Sequence, residues 1–178
     1  MTRRLYLMRH AQARSFGTGG DKGRRLSDHG HAQAREVGER LAHAGIQMAL
    51  VSDAERTRET FADLQLPDIG GVPVHVEFQA ALYEAGPRLV LARIAEAPDE
   101  VQGLIVIGHA PTIPTLASEF TWAYDRSGAD MQMCAFPTAA VAAFDVDVPW
   151  RELASFDPFD YTEDSEPQLL SPVRPAEL

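Results

Sequence analysis

Leu104-Ile105-Val106-Ile107-Gly108-His109-Ala110-Pro111 is the stretch on which the fold turns. Its first four residues are apolar without alternation, as a strand covered on both faces requires. Gly108 and Pro111 then bracket a histidine at a sharp strand-to-helix turn. A helix is expected to start near Pro111 and to run to about Phe120. A buried strand followed at once by a helix is the repeating unit of a parallel α/β sheet.

The same alternation recurs on both sides of this stretch. Arg4–Met8 reads as a first strand. Ser27 then stands as the N-cap of a helix. Ala34, Val37 and Leu41 recur at helical spacing, and Gly45 is a fitting stop. Met48–Val51 reads as a second strand, and Ser52-Asp53-Ala54-Glu55 has the spacing of a capping box. Ala54, Thr57, Phe61 and Leu64 would form the inner face of the helix that follows, with Pro67 beyond its end. Val72–Val76 is a third strand. Pro87 opens another helix at its first position, with Val90, Ile94 and Ala97 inward. Ala139–Phe144 reads as the final strand. The pattern predicts an α/β fold, a three-layer α/β/α sandwich with a mostly parallel central sheet, over residues 1–146.

Charge separates the rest. The 178 residues carry a formal net charge of −10. From Asp147 onward stand eight acidic residues against two arginines, with five of the twelve prolines. Residues 147–178 are therefore expected to be an irregular, partly disordered acidic tail. The acidic balance argues against non-specific nucleic-acid binding. The apolar run Leu5–Met8 is too short for a signal core or a membrane span. A single cysteine, Cys134, allows no internal disulfide, fits a reducing cytoplasm and is read as structural. Gly17-Thr18-Gly19-Gly20 lacks the preceding strand and the Gly-Lys-Ser/Thr ending of a phosphate loop, so it reads as a flexible loop. His29, His31 and His43 read as surface residues and His75 as a strand residue. None has metal-site spacing, and no metal or cofactor is expected.

Three segments share one layout, an apolar strand followed by cationic or imidazole residues. They end in Arg9-His10, in Ser52-Asp53-Ala54-Glu55-Arg56 and in Gly108-His109-Ala110-Pro111. Open parallel sheets bind ligands outside the carboxyl ends of their strands. Parallel neighbours would bring two arginines and two histidines to one edge, a cluster suited to an anion. A neutral imidazole is a nucleophile toward phosphorus, and nearby guanidinium groups keep it neutral. Arginine forks bind phosphoryl oxygens and stabilise the charge spread over them in the transition state. Arg58 is assigned to a solvated helix face.

These segments resemble the histidine phosphatase superfamily, which includes the phosphoglycerate mutases, and within it the small SixA-like phosphohistidine phosphatases. Leu7-Met8-Arg9-His10 looks like the family's Arg-His-Gly motif, with Ala11 in place of the glycine. Arg24-Arg25-Leu26-Ser27 with Gly30 looks like its Arg-Pro-Leu-Thr…Gly segment. Ser52 to Thr60 looks like its Ser-Pro-x-x-Arg-Ala-x-x-Thr helix, with Asp53 in place of proline and expected to cap the helix. Val106 to Pro111 looks like its Val-Ile-Ser/Gly-His-x-Pro segment. The resemblance covers residues 4–146 and implies a phosphoglycerate mutase-like fold. It implies that His10 is transiently phosphorylated, that Arg9 and Arg56 hold the phosphoryl group, and that His109 donates a hydrogen bond to it. Arg24 matches a position at the pocket mouth. Glu84 falls where many members carry a proton donor, a role that burial would favour by raising its pKa.

About 21 residues separate Leu26 from Met48, and about 27 separate Phe78 from Ile105. Little length is left for the caps with which phosphoglycerate mutase-like enzymes enclose a sugar phosphate. The expected function is metal-independent phosphatase action on phosphohistidine in a protein partner, docked in part by Lys22–Arg25. A small-molecule phosphomonoesterase acting on a phosphorylated metabolite is the first alternative. A non-catalytic phosphate-binding scaffold is the second.

Overall fold

The computed structural model describes residues 2–125, 136–158 and 172–178. Cys134 and the acidic segment 159–171 lie outside the described residues. Among the described residues six strands form one sheet: β1 (Arg3–Arg9), β2 (Met48–Ser52), β3 (His75–Gln79), β4 (Gly103–Gly108), β5 (Val141–Val146) and β6 (Val173–Ala176). Their order is β3-β2-β4-β1-β5-β6. The pairs β1–β4, β2–β4 and β2–β3 are parallel. The pairs β1–β5 and β5–β6 are antiparallel. Four α-helices among the described residues accompany the sheet: α1 (Asp28–Leu41), α2 (Glu55–Leu64), α3 (Pro87–Ile94) and α4 (Thr112–Tyr124).

Successive side chains of each strand enter opposite cores, which makes three layers. Leu5, Leu7, Leu50, Leu104 and Val106 pack with Val90, Leu91 and Ile94 of α3 and with Leu116 and Phe120 of α4. Tyr6, Met8, Ala49, Val51, Ile105 and Ile107 pack with Ala34, Val37 and Leu41 of α1 and with Leu64 of α2. All six residues of β4 are buried, as its unbroken apolar run requires. The two helices on the second face cross closely at Gly38, where a Cβ would stand 2.1 Å from the Leu64 carbonyl oxygen. Ser27 caps α1, its Oγ accepting from the Gly30 N–H at 3.0 Å.

Four sequence expectations shift. The third strand begins at His75 instead of Val72, because Ile69 and Val72 bond to each other across Gly70 and Gly71, both at positive φ. That tight turn uses the residues the strand was expected to take. The capping box at Ser52 does not form. Ser52 ends β2, and α2 starts at Glu55 with Ala54 as its N-cap and no side-chain cap. Asp53 is not a cap either; its Oδ2 accepts from Lys22 Nζ at 2.8 Å. Ala139–Phe144 is not the last strand: β5 runs Val141–Val146, and β6 from the acidic segment pairs with it.

The residues after Asp147 are thus partly ordered against the domain. A 3-10 helix at Trp150–Ser155 buries Trp150 and Leu153 completely in the core shared with α3 and α4. The Trp150 indole N–H donates to the Val101 carbonyl at 2.8 Å. Among the described residues no helix is long and apolar enough to cross a membrane.

Candidate active site

Strand order places the chemistry. The chain leaves β1, forms β2 and β3 beyond the place of β4, and returns to insert β4 beside β1. In register, Arg9 stands opposite Gly108, and Val51 opposite Ile107. Ser52 at the end of β2, and His10 and His109 just past β1 and β4, therefore meet at one carboxyl edge. The His10 N–H extends the ladder to the Gly108 carbonyl at 3.0 Å.

His10 is held in one tautomer. Its Nδ1 lies 2.7 Å from the Ala11 carbonyl oxygen, which only accepts, so Nδ1 carries the hydrogen. Nε2 then presents a lone pair, which accepts from Arg56 Nε at 3.3 Å. Burial first, and then the charges of Arg56, Arg9 and Arg24, lower the His10 pKa to about 4 against the opposing Ala11 bond. At neutral pH the ring is uncharged, with its Nε2 lone pair facing a guanidinium. The departure from the motif glycine is accommodated: Ala11 is fully buried, and its N–H donates to Thr60 Oγ1 at 3.1 Å. That hydroxyl donates back to the Arg56 carbonyl at 2.6 Å, so α2 anchors both His10 and Arg56.

The arginines behave differently from one another. The Arg56 side chain is only 7% exposed, and Asp21 meets it twice: NH1 donates to the Asp21 carbonyl at 2.7 Å and NH2 to Oδ2 at 2.9 Å. Arg9 donates through NH1 to the Phe136 carbonyl at 3.0 Å. Its buried Nε has no partner among the described residues. Arg24 donates through Nε to the Arg14 carbonyl and through NH1 to Asp21 Oδ1 at 2.9 Å, so it reaches the site by way of Asp21.

His109 stacks edge-on to His10 with 5.2 Å between ring centroids. Its Nε2 is 2.8 Å from Ser52 Oγ, and its buried Nδ1 has no partner among the described residues. Burial, with the charges of His10 and Arg56, lowers its pKa to about 3. Tyr83 packs edge-on to His109 at 5.4 Å and donates its hydroxyl to Asp21 Oδ2 at 2.6 Å.

Glu84 lies beside Tyr83 but is exposed, and no hydrogen bond or ion pair reaches it among the described residues. The burial that would make it a proton donor is absent. Asp21, the carboxylate nearest the arginines, is held well below the usual carboxylate range, first by the Tyr83 hydroxyl and then by Arg24 and Arg56. It too is no acid at neutral pH. The basic stretch is also neutralised from within: Lys22 pairs with Asp53, Arg24 with Asp21 and Arg25 with Glu59. Arg58 does not extend freely into water; its guanidinium lies 4.2 Å from the Phe78 ring centroid and donates to the Asp53 carbonyl. His31 likewise has a partner, with Nδ1 2.5 Å from Asp63 Oδ2.

Sequence reading thus brought together His10, Arg9, Arg56 and His109 and missed Asp21, Tyr83 and Ser52, which contact them directly or through one another. Tyr83 stands next to Glu84 in the sequence, and Ser52 was assigned to a helix cap. Asp21 had only its place between a glycine turn and Arg24 to mark it.

Residues 5–86 match the family model of the histidine phosphatase superfamily, branch 1. An uncharacterised protein of Mycobacterium leprae is 30% identical over 154 residues, which cover 82% of this chain and 91% of that protein. A Nakamurella structure provisionally assigned as a phosphohistidine phosphatase SixA superimposes with a TM-score of 0.73 at 29% identity, covering 86% of this chain and 90% of that one. A protein histidine phosphatase SixA solved with tungstate gives 0.65 at 25% identity, covering 81% and 88%. A similar structure from Agrobacterium tumefaciens, also provisionally assigned as SixA, is 30% identical over 92% of its length. The chain belongs to the histidine phosphatase superfamily and has its phosphoglycerate mutase-like α/β fold.

Proposed function

We propose that this protein is a phosphohistidine phosphatase that works through a phosphorylated His10 and acts on a protein partner. The observation that carries this reading is the His10 tautomer, with Nδ1–H fixed on Ala11 and the Nε2 lone pair facing Arg56. In the first step Nε2 attacks phosphorus. An N–P bond forms to His10 while the substrate's N–P bond breaks, and the departing imidazole keeps that electron pair. In the second step water attacks the phosphoryl group, the His10 N–P bond breaks, and inorganic phosphate leaves with His10 restored. Arg9 and Arg56 hold the oxygens, with His109 as a further donor. The two arginines supply the positive charge that a metal ion otherwise brings to phosphoryl transfer.

Leaving-group chemistry supports phosphohistidine over a phosphate ester. An alkoxide needs a proton as it departs, and a positioned acid contributes about 10²–10⁴ in rate. Neither carboxylate beside the site is poised for this, since Glu84 is exposed and Asp21 is held ionised. An imidazole protonated on its other nitrogen leaves neutral without such help. A reducing cytoplasm is the setting this reading implies.

The test is dephosphorylation of a histidine-phosphorylated protein beside a panel of sugar phosphates, in EDTA. Turnover of the phosphoprotein that is lost in His10→Ala, with an acid-labile phosphoenzyme in the wild type, supports the reading. Activity confined to sugar phosphates makes the protein a small-molecule phosphatase. Failure to form a phosphoenzyme with any donor leaves a scaffold.

A further inference from the structure

Arg56 is the most buried cation of the site, and both ends of its planar guanidinium are engaged. The outer fork, NH1 and NH2, is gripped by the carbonyl and the carboxylate of one residue, Asp21, at 2.7 and 2.9 Å. The inner edge carries Nε, which donates to His10 Nε2 at 3.3 Å. A guanidinium is rigid and offers five N–H groups in one plane. Fixing two of them on one side fixes the direction of the rest.

The grip is itself held. Asp21 Oδ2 accepts from the Tyr83 hydroxyl at 2.6 Å, and Oδ1 accepts from Arg24 NH1 at 2.9 Å. Gly19 and Gly20, both at positive φ, turn the chain immediately before Asp21. That turn lets the backbone carbonyl and the side chain of Asp21 face the same arginine. A residue that contacts Arg56 by main chain and side chain together, and is braced by two further donors, is built as a clamp.

We propose that Asp21 is a positioning residue for phosphoryl transfer: by clamping the outer fork of Arg56 it presents the inner edge of the guanidinium to the phosphoryl group on His10. This role rests on the phosphatase reading above. Asp21 does not touch the reacting atoms; it acts through Arg56. The rival role for the same carboxylate is that of a resident anion, which substrate must displace from the arginine. The two roles predict opposite signs for anion binding when the carboxylate is removed.

The experiment measures tungstate binding by calorimetry for the wild type, Asp21→Ala and Asp21→Asn, with thermal melting to confirm folding. Asp21→Ala is expected to bind tungstate about tenfold more weakly, which corresponds to the loss of one good orienting contact. Asp21→Asn, which keeps an acceptor oxygen, recovers part of the affinity and serves if the alanine variant does not fold. In both variants the nitrogen-15 shift of His10 Nε2 at neutral pH is expected to move, because the Arg56 Nε–H turns away from it; a merely structural role would leave that shift unmoved. Equal or tighter tungstate binding by the variants overturns the clamp and makes Asp21 a competitor. Failure of the wild type to bind tungstate overturns the anion site and the clamp together.

Discussion

Ser52 Oγ and His109 Nε2 stand 2.8 Å apart, and the serine is fully buried. The hydroxyl makes no second hydrogen bond among the described residues. If His109 donated from Nε2, the serine hydrogen would be stranded and a lone pair would be left at Nδ1. If Ser52 donates, the hydroxyl is satisfied, and Nδ1–H remains as a donor for an arriving anion. The second arrangement leaves fewer groups unsatisfied. Ser52→Ala is therefore expected to lower turnover by about tenfold or more, the scale on which an orienting partner acts. Nitrogen-15 NMR of the His109 ring should show Nδ1–H in the wild type and a shift toward Nε2–H in the variant. Ser52→Thr should restore both. An unchanged tautomer in Ser52→Ala would remove this role from the serine.

His10 should titrate far from its ordinary range. Its pKa is lowered to about 4, against 6.5 for a free imidazole. In the folded protein the ring signals should move with a midpoint near pH 4, and turnover should persist through pH 5 to 6. The sign for stability follows. Between about 6.5 and 4 the unfolded chain binds a proton on His10 that the native protein refuses, so acidification through this window favours unfolding. His109, with a pKa lowered to about 3, acts in the same direction over a wider range. Urea midpoints should fall from pH 7 to pH 5, and His10→Asn should flatten part of that slope. A midpoint near 6.5 in the NMR titration would contradict the buried, arginine-faced setting.

Glu84→Gln should matter little. The carboxylate is exposed, whereas loss of a working general acid costs about 10²–10⁴ in rate. Steady-state rates on phosphohistidine protein and on p-nitrophenyl phosphate are expected to stay far short of that loss. A hundredfold drop on the ester alone would show that Glu84 moves into the pocket when substrate binds.

Trp150 tests where the domain ends. Its side chain is completely buried beside α3 and α4, three residues after Asp147. Trp150→Ala is expected to cost roughly 3–5 kcal/mol, the usual range for a large aromatic in a packed core. Urea unfolding checks this. A loss below about 1 kcal/mol would mean that the residues after 146 are an appendage.

The fold was legible wherever periodicity was strong. Leu104–Ile107 announced a strand with both faces covered, and Ser27 and Pro87 announced their helices. Order across the sheet was less so, because β5 and β6 are antiparallel strands added on one side of the sheet, whose partners are set by long-range packing. Val173–Ala176 is only four residues long, includes Pro175 and follows an acidic run, so local composition pointed to a coil. At the site, residues directly after strands could be read because strand ends converge by geometry. Ser52 misled, since a serine three positions before a glutamate fits a capping box, and only tertiary structure shows that His109 takes its hydroxyl. Asp21 and Tyr83 come from loops, where no period marks a side chain that reaches across the pocket.

The late arrival of β6 bears on how the protein is made. Beta5 ends at Val146, and its outer partner is not translated until residues 173–176. At about 5–20 residues per second, the ribosome needs roughly 2–6 seconds to cover that interval. Until β6 pairs, the outer side of β5 is an open row of backbone donors and acceptors, which invites pairing with other chains. The short β6 closes that edge, so a chain lacking residues 173–176 should show itself first by aggregation.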